Sequence, residues 1–339
     1  MKDIYDILNE IKRRPGEKFA LATLVCTQGS SYRRPGARML IRADGEMIGS
    51  LSAGCLEQEV ASRAFEVLKT GQPEIMSFDT RKRFGCAGRI DIFIEPGPEK
   101  IFTDLARELD SRHSCVAITV FEGNQRGTRI LEGEAPATPF DERSRGSSTL
   151  QSPHGELAQE VQPPIRLFVF GASPDNASLH FLAHSLGWQT FEVGDSNGLV
   201  MKPDPFTAAI VKFHNYGRDF AALQQLLPLN LRYVGLIGPR KRRNQLLGDL
   251  LDLGVTINAG FFGPAGLDLG AETPEEIALE IIAEIQRVFA HGSGLSLRER
   301  KMPIHAPQLR SFRAKSRNPA ERPQADTTGS FDSASLPSG

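Results

Sequence analysis

An apolar run, Ile165-Arg-Leu-Phe-Val-Phe170, ends at Gly171 and constrains everything downstream of it. The turn Gly171-Ala-Ser-Pro-Asp-Asn176 leads into a helical stretch reaching Leu186, and Gly187-Trp-Gln-Thr-Phe-Glu-Val193 reads as a second strand before Gly194-Asp195. Parallel neighbours need a crossover connection, usually a helix, and this order of elements is that of a βαβ unit. The rhythm then continues. Residues 208–213 and 232–237 read as buried strands, 219–227 and 240–253 as helices. Thr273-Pro-Glu-Glu276 is a capping box with proline at the first helical position, and Ile277, Ile281, Ile285, Val288 and Phe289 keep core spacing behind it. The expectation for residues 165–305 is a Rossmann-like, doubly wound α/β domain with a parallel sheet.

Strand, glycine turn, helix, strand and terminal acid is the order of a dinucleotide-binding unit, with Asp195 close to the expected separation of about 20 residues. The glycine fingerprint departs from the pattern. Ser173 and Asn176 stand where its second and third glycines belong, and Pro174 removes an N–H donor. NAD(P) binding through Gly171 and Asp195 therefore stays an open alternative. Gly238-Pro-Arg-Lys-Arg-Arg243 places a basic cluster, Arg240 first, where a strand hands over to a helix; that edge of an α/β sheet is where anions bind.

The first half reads differently. Asp3–Arg14 is an amphipathic helix, 19–27 a buried strand, and 38–41 and 46–51 a hairpin turning at Asp44-Gly45. Residues 74–79, 90–94 and 115–122 are further strands, and 100–109 a helix. An α+β domain over 1–125 follows. Two cysteines lie in glycine-rich turns: Cys55 in Gly54-Cys55-Leu56-Glu57, ahead of a helix over 56–69, and Cys86 in Gly85-Cys-Ala-Gly88. Glycine lets a ligand approach the backbone, and a helix start favours a thiolate. Cys26 and Cys115 sit in apolar runs and read as inert core. The loop Gln28–Arg38 carries Arg33, Arg34 and Arg38 among glycine and hydroxyl residues, a composition suited to holding an anion.

Residues 126–164 are rich in Pro, Ser, Gly and charge and read as a flexible linker, and 306–339 as a disordered tail. A net charge of −1 supplies no field for nucleic acid, and no apolar run is long enough for a membrane span. The N-terminus lacks a signal-peptide core, so a cytoplasmic protein with free thiols is expected. The seven histidines show no zinc-type spacing with the cysteines.

Gly29-Ser-Ser-Tyr-Arg-Arg-Pro-Gly-Ala-Arg-Met39, Gly54-Cys-Leu-Glu57, Phe84-Gly-Cys-Ala-Gly88, Tyr233-Val-Gly-Leu-Ile-Gly238 and Gly266-Leu-Asp-Leu-Gly-Ala-Glu-Thr-Pro-Glu-Glu-Ile-Ala278 occur in this order. In these blocks the chain resembles the XdhC/CoxI family, accessory proteins of molybdenum hydroxylases such as xanthine dehydrogenase and carbon monoxide dehydrogenase. The resemblance implies a chaperone that binds molybdenum cofactor, protects it, supports its sulfuration by a cysteine desulfurase and delivers it to an apo-hydroxylase. On that reading Cys55 and Cys86 ligate the metal or relay sulfur, with Cys55 the stronger candidate for its helix-start position. Arg33, Arg34, Arg38 and the N–H groups at Gly54 and Gly85 hold phosphate or oxo groups, and Glu57 orients a cofactor group or stabilises its helix. A second copy of the chain is a further candidate partner. Two alternatives stand beside it: an NAD(P)-dependent oxidoreductase using the Rossmann-like half, and a thiol-redox protein using Cys55 and Cys86.

Overall fold

The computed structural model describes residues 1–29, 31–79, 88–97, 99–131, 155–194 and 202–299, with 149–152 by backbone alone. Met1–Leu309 forms one compact unit. The tail expected over 306–339 lies outside the described residues.

Helix α1 (Lys2–Arg13) buries Ile4, Ile7 and Leu8 along one stripe, as its apolar spacing requires. The long strand β1 (Phe19–Gly29) is sealed over its first seven residues and therefore lies at the centre of a sheet. Around it are β2 (Arg38–Arg42), β3 (Met47–Gly49), β4 (Glu74–Asp79) and β5 (Gly88–Pro96), in the antiparallel order β3-β2-β1-β5-β4. Strand alternation divides this sheet into two faces. Ala20, Ala22, Leu24, Met39 and Ile41 pack under α2 (Glu57–Thr70), whose Val60, Ala61, Ala64 and Val67 complete that core. Phe19, Leu21 and Leu40 face the other way, against α1 and α3 (Glu99–Asp110).

A second antiparallel sheet, β7-β6-β9-β8, is built from β6 (Cys115–Val120), β7 (Gly127–Leu131), β8 (Thr149–Ser152) and β9 (Glu156–Val161). This corrects the linker expected over 126–164. Glu156–Val161 pairs residue for residue with β6, with alternate residues buried, although its composition is polar. Residues 132–148 lie outside the described residues.

The C-terminal half follows the expected pattern. Strands β10 (Arg166–Phe170), β11 (Gln189–Val193), β12 (Thr207–Val211), β13 (Tyr233–Leu236) and β14 (Phe261–Phe262) form a parallel sheet ordered β11-β10-β12-β13-β14. Helices α5 (Tyr216–Leu226) and α6 (Arg240–Asp252) cover one face through Leu223, Leu226, Leu246 and Leu250. Helices α4 (Asn176–Ser185) and α7 (Pro274–Phe289) cover the other through Leu179, Ala183, Ile281 and Ile285. This is the doubly wound order 2-1-3-4-5, which reverses direction between β10 and β12; ligands of such folds bind at that switch point.

Arg112 ties the halves together. It follows α3 at φ 65° and donates from Nε to Asp204 at 2.6 Å and from Nη1 to the Pro164 carbonyl at 2.7 Å. Burial alone would raise the Asp204 carboxyl, but the Arg112 guanidinium and the Phe206 N–H hold it below the usual range. Tyr5 of α1 adds a hydrogen bond to the Gln162 carbonyl at 2.9 Å.

Candidate functional site

At one end of the first sheet β3 ends at Gly49 and β1 at Gly29, while β5 begins at Gly88, paired with Gly29. The segments bearing Arg33, Arg34 and Cys55 start from this end, and so do the flanks of the segment bearing Cys86. β1 and β5 run on past β2 and β3 in that direction, so Gly49, level with Ala22, stops well short of Gly29. Gly85 and Cys86 themselves lie outside the described residues.

The chain turns sharply on leaving β3. Gly49 adopts φ +87°, and a Cβ there would stand 2.4 Å from the Arg38 carbonyl oxygen, so only glycine fits. Leu51 and Leu56 then bury themselves under α2, pinning both ends of a loop whose crest, Cys55, is exposed. Glu57 organises the loop from within. One carboxylate oxygen accepts the N–H groups of Leu51 (3.2 Å) and Ser52 (2.8 Å); the other accepts the Ser52 hydroxyl (2.7 Å) and the Leu56 N–H (3.0 Å). Burial by itself would raise this carboxyl, but these hydrogen bonds outweigh it and hold Glu57 below the usual carboxylate range. Glu57 thus turns inward as the anion at the start of α2, its carboxylate occupied by the loop's own donors.

Ser52 is the keystone that sequence reasoning missed. Its hydroxyl oxygen donates to Glu57 and accepts the N–H groups of Gly54 and Cys55, both at 3.2 Å, with the Cys55 sulfur at 3.5 Å. A serine three residues before a helix-start cysteine is the available signal. Gly54 has φ +102° and open space where a Cβ would project. The crest therefore offers a soft sulfur donor and an unobstructed backbone beside it, a donor type that suits soft metal ions or thiol exchange.

The arginines divide. Arg33 donates to Ser50 at 2.9 Å and forms an ion pair with Asp3 of α1, which links its loop to the Cys55 loop but neutralises its charge. Arg34 is half-buried. Arg38 departs from the expected anion site. It is 4% exposed on the α1 and α3 face, opposite α2, where it packs beside a small, largely apolar pocket lined by Ile4, Ile7, Leu21 and Phe102. Its guanidinium donates to Gln159 of β9. Burial pulls the Arg38 pKa down to about 10 against the pull of Glu95. The cause is strand parity: Arg38 shares its face with Leu40, so it cannot share one with Met39 and α2. Of the remaining cysteines, Cys115 is sealed and burial pushes its thiol up to about 12, while Cys26 is only half-buried.

In the other half, Gly171 closes β10 at φ +120°, with the Lys212 carbonyl oxygen 2.7 Å from where a Cβ would be. Asp195 lies outside the described residues. Arg240 is exposed at the start of α6, but the basic run does not act as a unit, because Arg242 turns back to pair with buried Asp219. Sequence reasoning also passed over Lys212, which is buried at the end of β12 against Asp175 and Asn176.

Residues 13–79 match the XdhC and CoxI family, and residues 167–285 match the XdhC Rossmann domain. A Bacillus subtilis (strain 168) protein, named as a probable xanthine dehydrogenase subunit, is 32% identical over 311 residues, covering 79% of this chain and 92% of that one. The molybdenum cofactor insertion chaperone PaoD of Escherichia coli (strain K12) is 24% identical over 287 residues, covering 81% of this chain and 85% of its own. A crystal structure described as a xanthine dehydrogenase from Bacillus halodurans superposes with a TM-score of 0.70 at 23% identity, over 86% of this chain and 96% of that one, and so shares the fold. With both halves matched in order and nearly the whole length of the Bacillus subtilis relative spanned, the chain belongs to the XdhC and CoxI family.

Proposed function

We propose that this chain is a molybdenum cofactor chaperone that receives the cofactor at the Cys55 crest, holds it during sulfuration and delivers it to a molybdenum hydroxylase. The observation that carries the proposal is the exposed Cys55, braced by the Ser52–Glu57 network and open at Gly54. Kinship with a chaperone that inserts this cofactor supports it. When bound, the cofactor supplies a dithiolene-held metal that accepts a soft sulfur ligand. The chain's part is to place the Cys55 sulfur at the crest, keep Glu57 turned away from it, and fix the neighbouring loop through Arg33 and Ser50. Cys86 is the second proposed sulfur. The phosphate grip assigned to three arginines shrinks, because Arg38 is sealed and Arg33 is neutralised by Asp3.

The test is reconstitution of an apo-hydroxylase with molybdenum cofactor and a cysteine desulfurase. Added chain should raise the yield of active hydroxylase, and the Cys55→Ala protein should not. Equal yields with and without the chain would contradict delivery. No separate observation favours a thiol-redox role for Cys55 and Cys86: Cys55 is exposed, and Cys86 lies outside the described residues.

A further inference from the structure

The switch point between β10 and β12 is where a Rossmann-like domain holds the phosphates of NAD(P), on free N–H groups at the start of the first helix. Here three of the N–H groups around that turn are already engaged. The Gly171 N–H bonds to the Val193 carbonyl at 3.1 Å, the Asn176 N–H to Ser173 at 3.0 Å and the Ala177 N–H to Pro174 at 3.3 Å. Pro174 has no N–H to offer. Gly171, the first glycine of the pattern, is required by the tight turn itself, since a Cβ there would run into the Lys212 backbone.

Side chains fill the crevice in place of a phosphate. Lys212, 2% exposed, donates from Nζ to Asp175 Oδ2 and to Asn176 Oδ1, both at 2.7 Å. Asn176 Nδ2 donates in turn to the Gly171 carbonyl and to Glu192 of β11, both at 2.9 Å, and Glu192 also meets His180 at 2.9 Å. The network joins the ends of β10, β11 and β12. Its cation is spent on Asp175, and that carboxylate, beside the start of α4, would repel a diphosphate. The described residues at the switch point do not fit NAD(P).

We infer that Lys212, Asp175 and Asn176 form an internal electrostatic plug that takes the place of nucleotide phosphates at the switch point. The Rossmann half is then a scaffold whose crevice binds no dinucleotide. This goes beyond the cofactor role at Cys55 and does not depend on it.

Two measurements on the full chain test the plug. Calorimetric titration with NAD⁺, NADH, NADP⁺ and NADPH at millimolar ligand should give no saturable heat. Lys212→Met leaves the partly exposed Asp175 without its cation and Asn176 without its donor, and should lower Tm by roughly 2–5 °C. Where that variant gives no soluble protein, Asp175→Asn replaces it, with an expected fall of roughly 2–5 °C. Saturable binding of any of the four dinucleotides overturns the inference, as does an Asp175→Asn protein melting with the wild type.

Discussion

Glu57 shows how a single side chain shapes the candidate site. It accepts four hydrogen bonds and frames the loop without touching its exposed face. Glu57→Gln keeps the shape but replaces one acceptor oxygen with a donor, and should cost about 1–3 kcal/mol in urea unfolding at neutral pH. The pH dependence has a definite sign. An unfolded glutamate titrates near 4.3, and the folded carboxyl is held lower, so its contribution is full above about pH 4.3 and drains away as pH falls through the folded value. The difference between wild type and Glu57→Gln should therefore shrink in acid. Cys55 was legible from its glycine and its helix. The inward turn of Glu57 was not, because it depends on where Leu51 and Ser52 come to lie. Arg38 misled for a related reason: the loop around it looks anion-binding, yet strand parity sends its side chain through the sheet to Gln159. Lys212 was visible as a lysine within an apolar strand, a placement that calls for a partner.

At the level of elements, glycines and caps carried most of the correct expectations. Gly49 and Gly54 make a matched pair. Both have positive φ, but only Gly49 has backbone in the way. Gly54→Ala should cost about 1 kcal/mol of backbone strain, and Gly49→Ala clearly more, with thermal melts ranking the two. The reverse ranking would mean that the loop leaves β3 differently. Thr273 accepts the Glu276 N–H while the Glu276 carboxylate accepts the Thr273 N–H, the capping box that marks α7 in the sequence. Thr273→Ala should cost about 1 kcal/mol by the same assay. The strands of the parallel sheet were legible because burial on both sides demands continuous apolar runs. β7, β8 and β9 were not. Their segment is polar, and β9 is a strand because β6 offers it an edge and because alternate residues such as Leu157 and Val161 reach a core.

Over the whole molecule, the two halves are joined at a charged seam. Arg112 is 11% exposed and Asp204 15%, so removing Arg112 leaves Asp204, away from water, with only its longer 3.8 Å pair to Arg166. Arg112→Ala should lower stability by about 3 kcal/mol, read as a fall in Tm and a loss of coupling between the melting of the two halves. The order of blocks made the family legible before any contact was known, and the 2-1-3-4-5 sheet agrees with it. The division of labour was not legible, since it rests on the Cys55 crest being open and the Rossmann crevice being filled from within. The central claim is that cofactor is held at Cys55. The most direct measurement is the molybdopterin content of the full chain purified from a molybdopterin-competent host, wild type against Cys55→Ala, with equal folding confirmed by melting temperature. The account predicts that bound molybdopterin falls more than about tenfold in the variant; wild-type content in Cys55→Ala would contradict it.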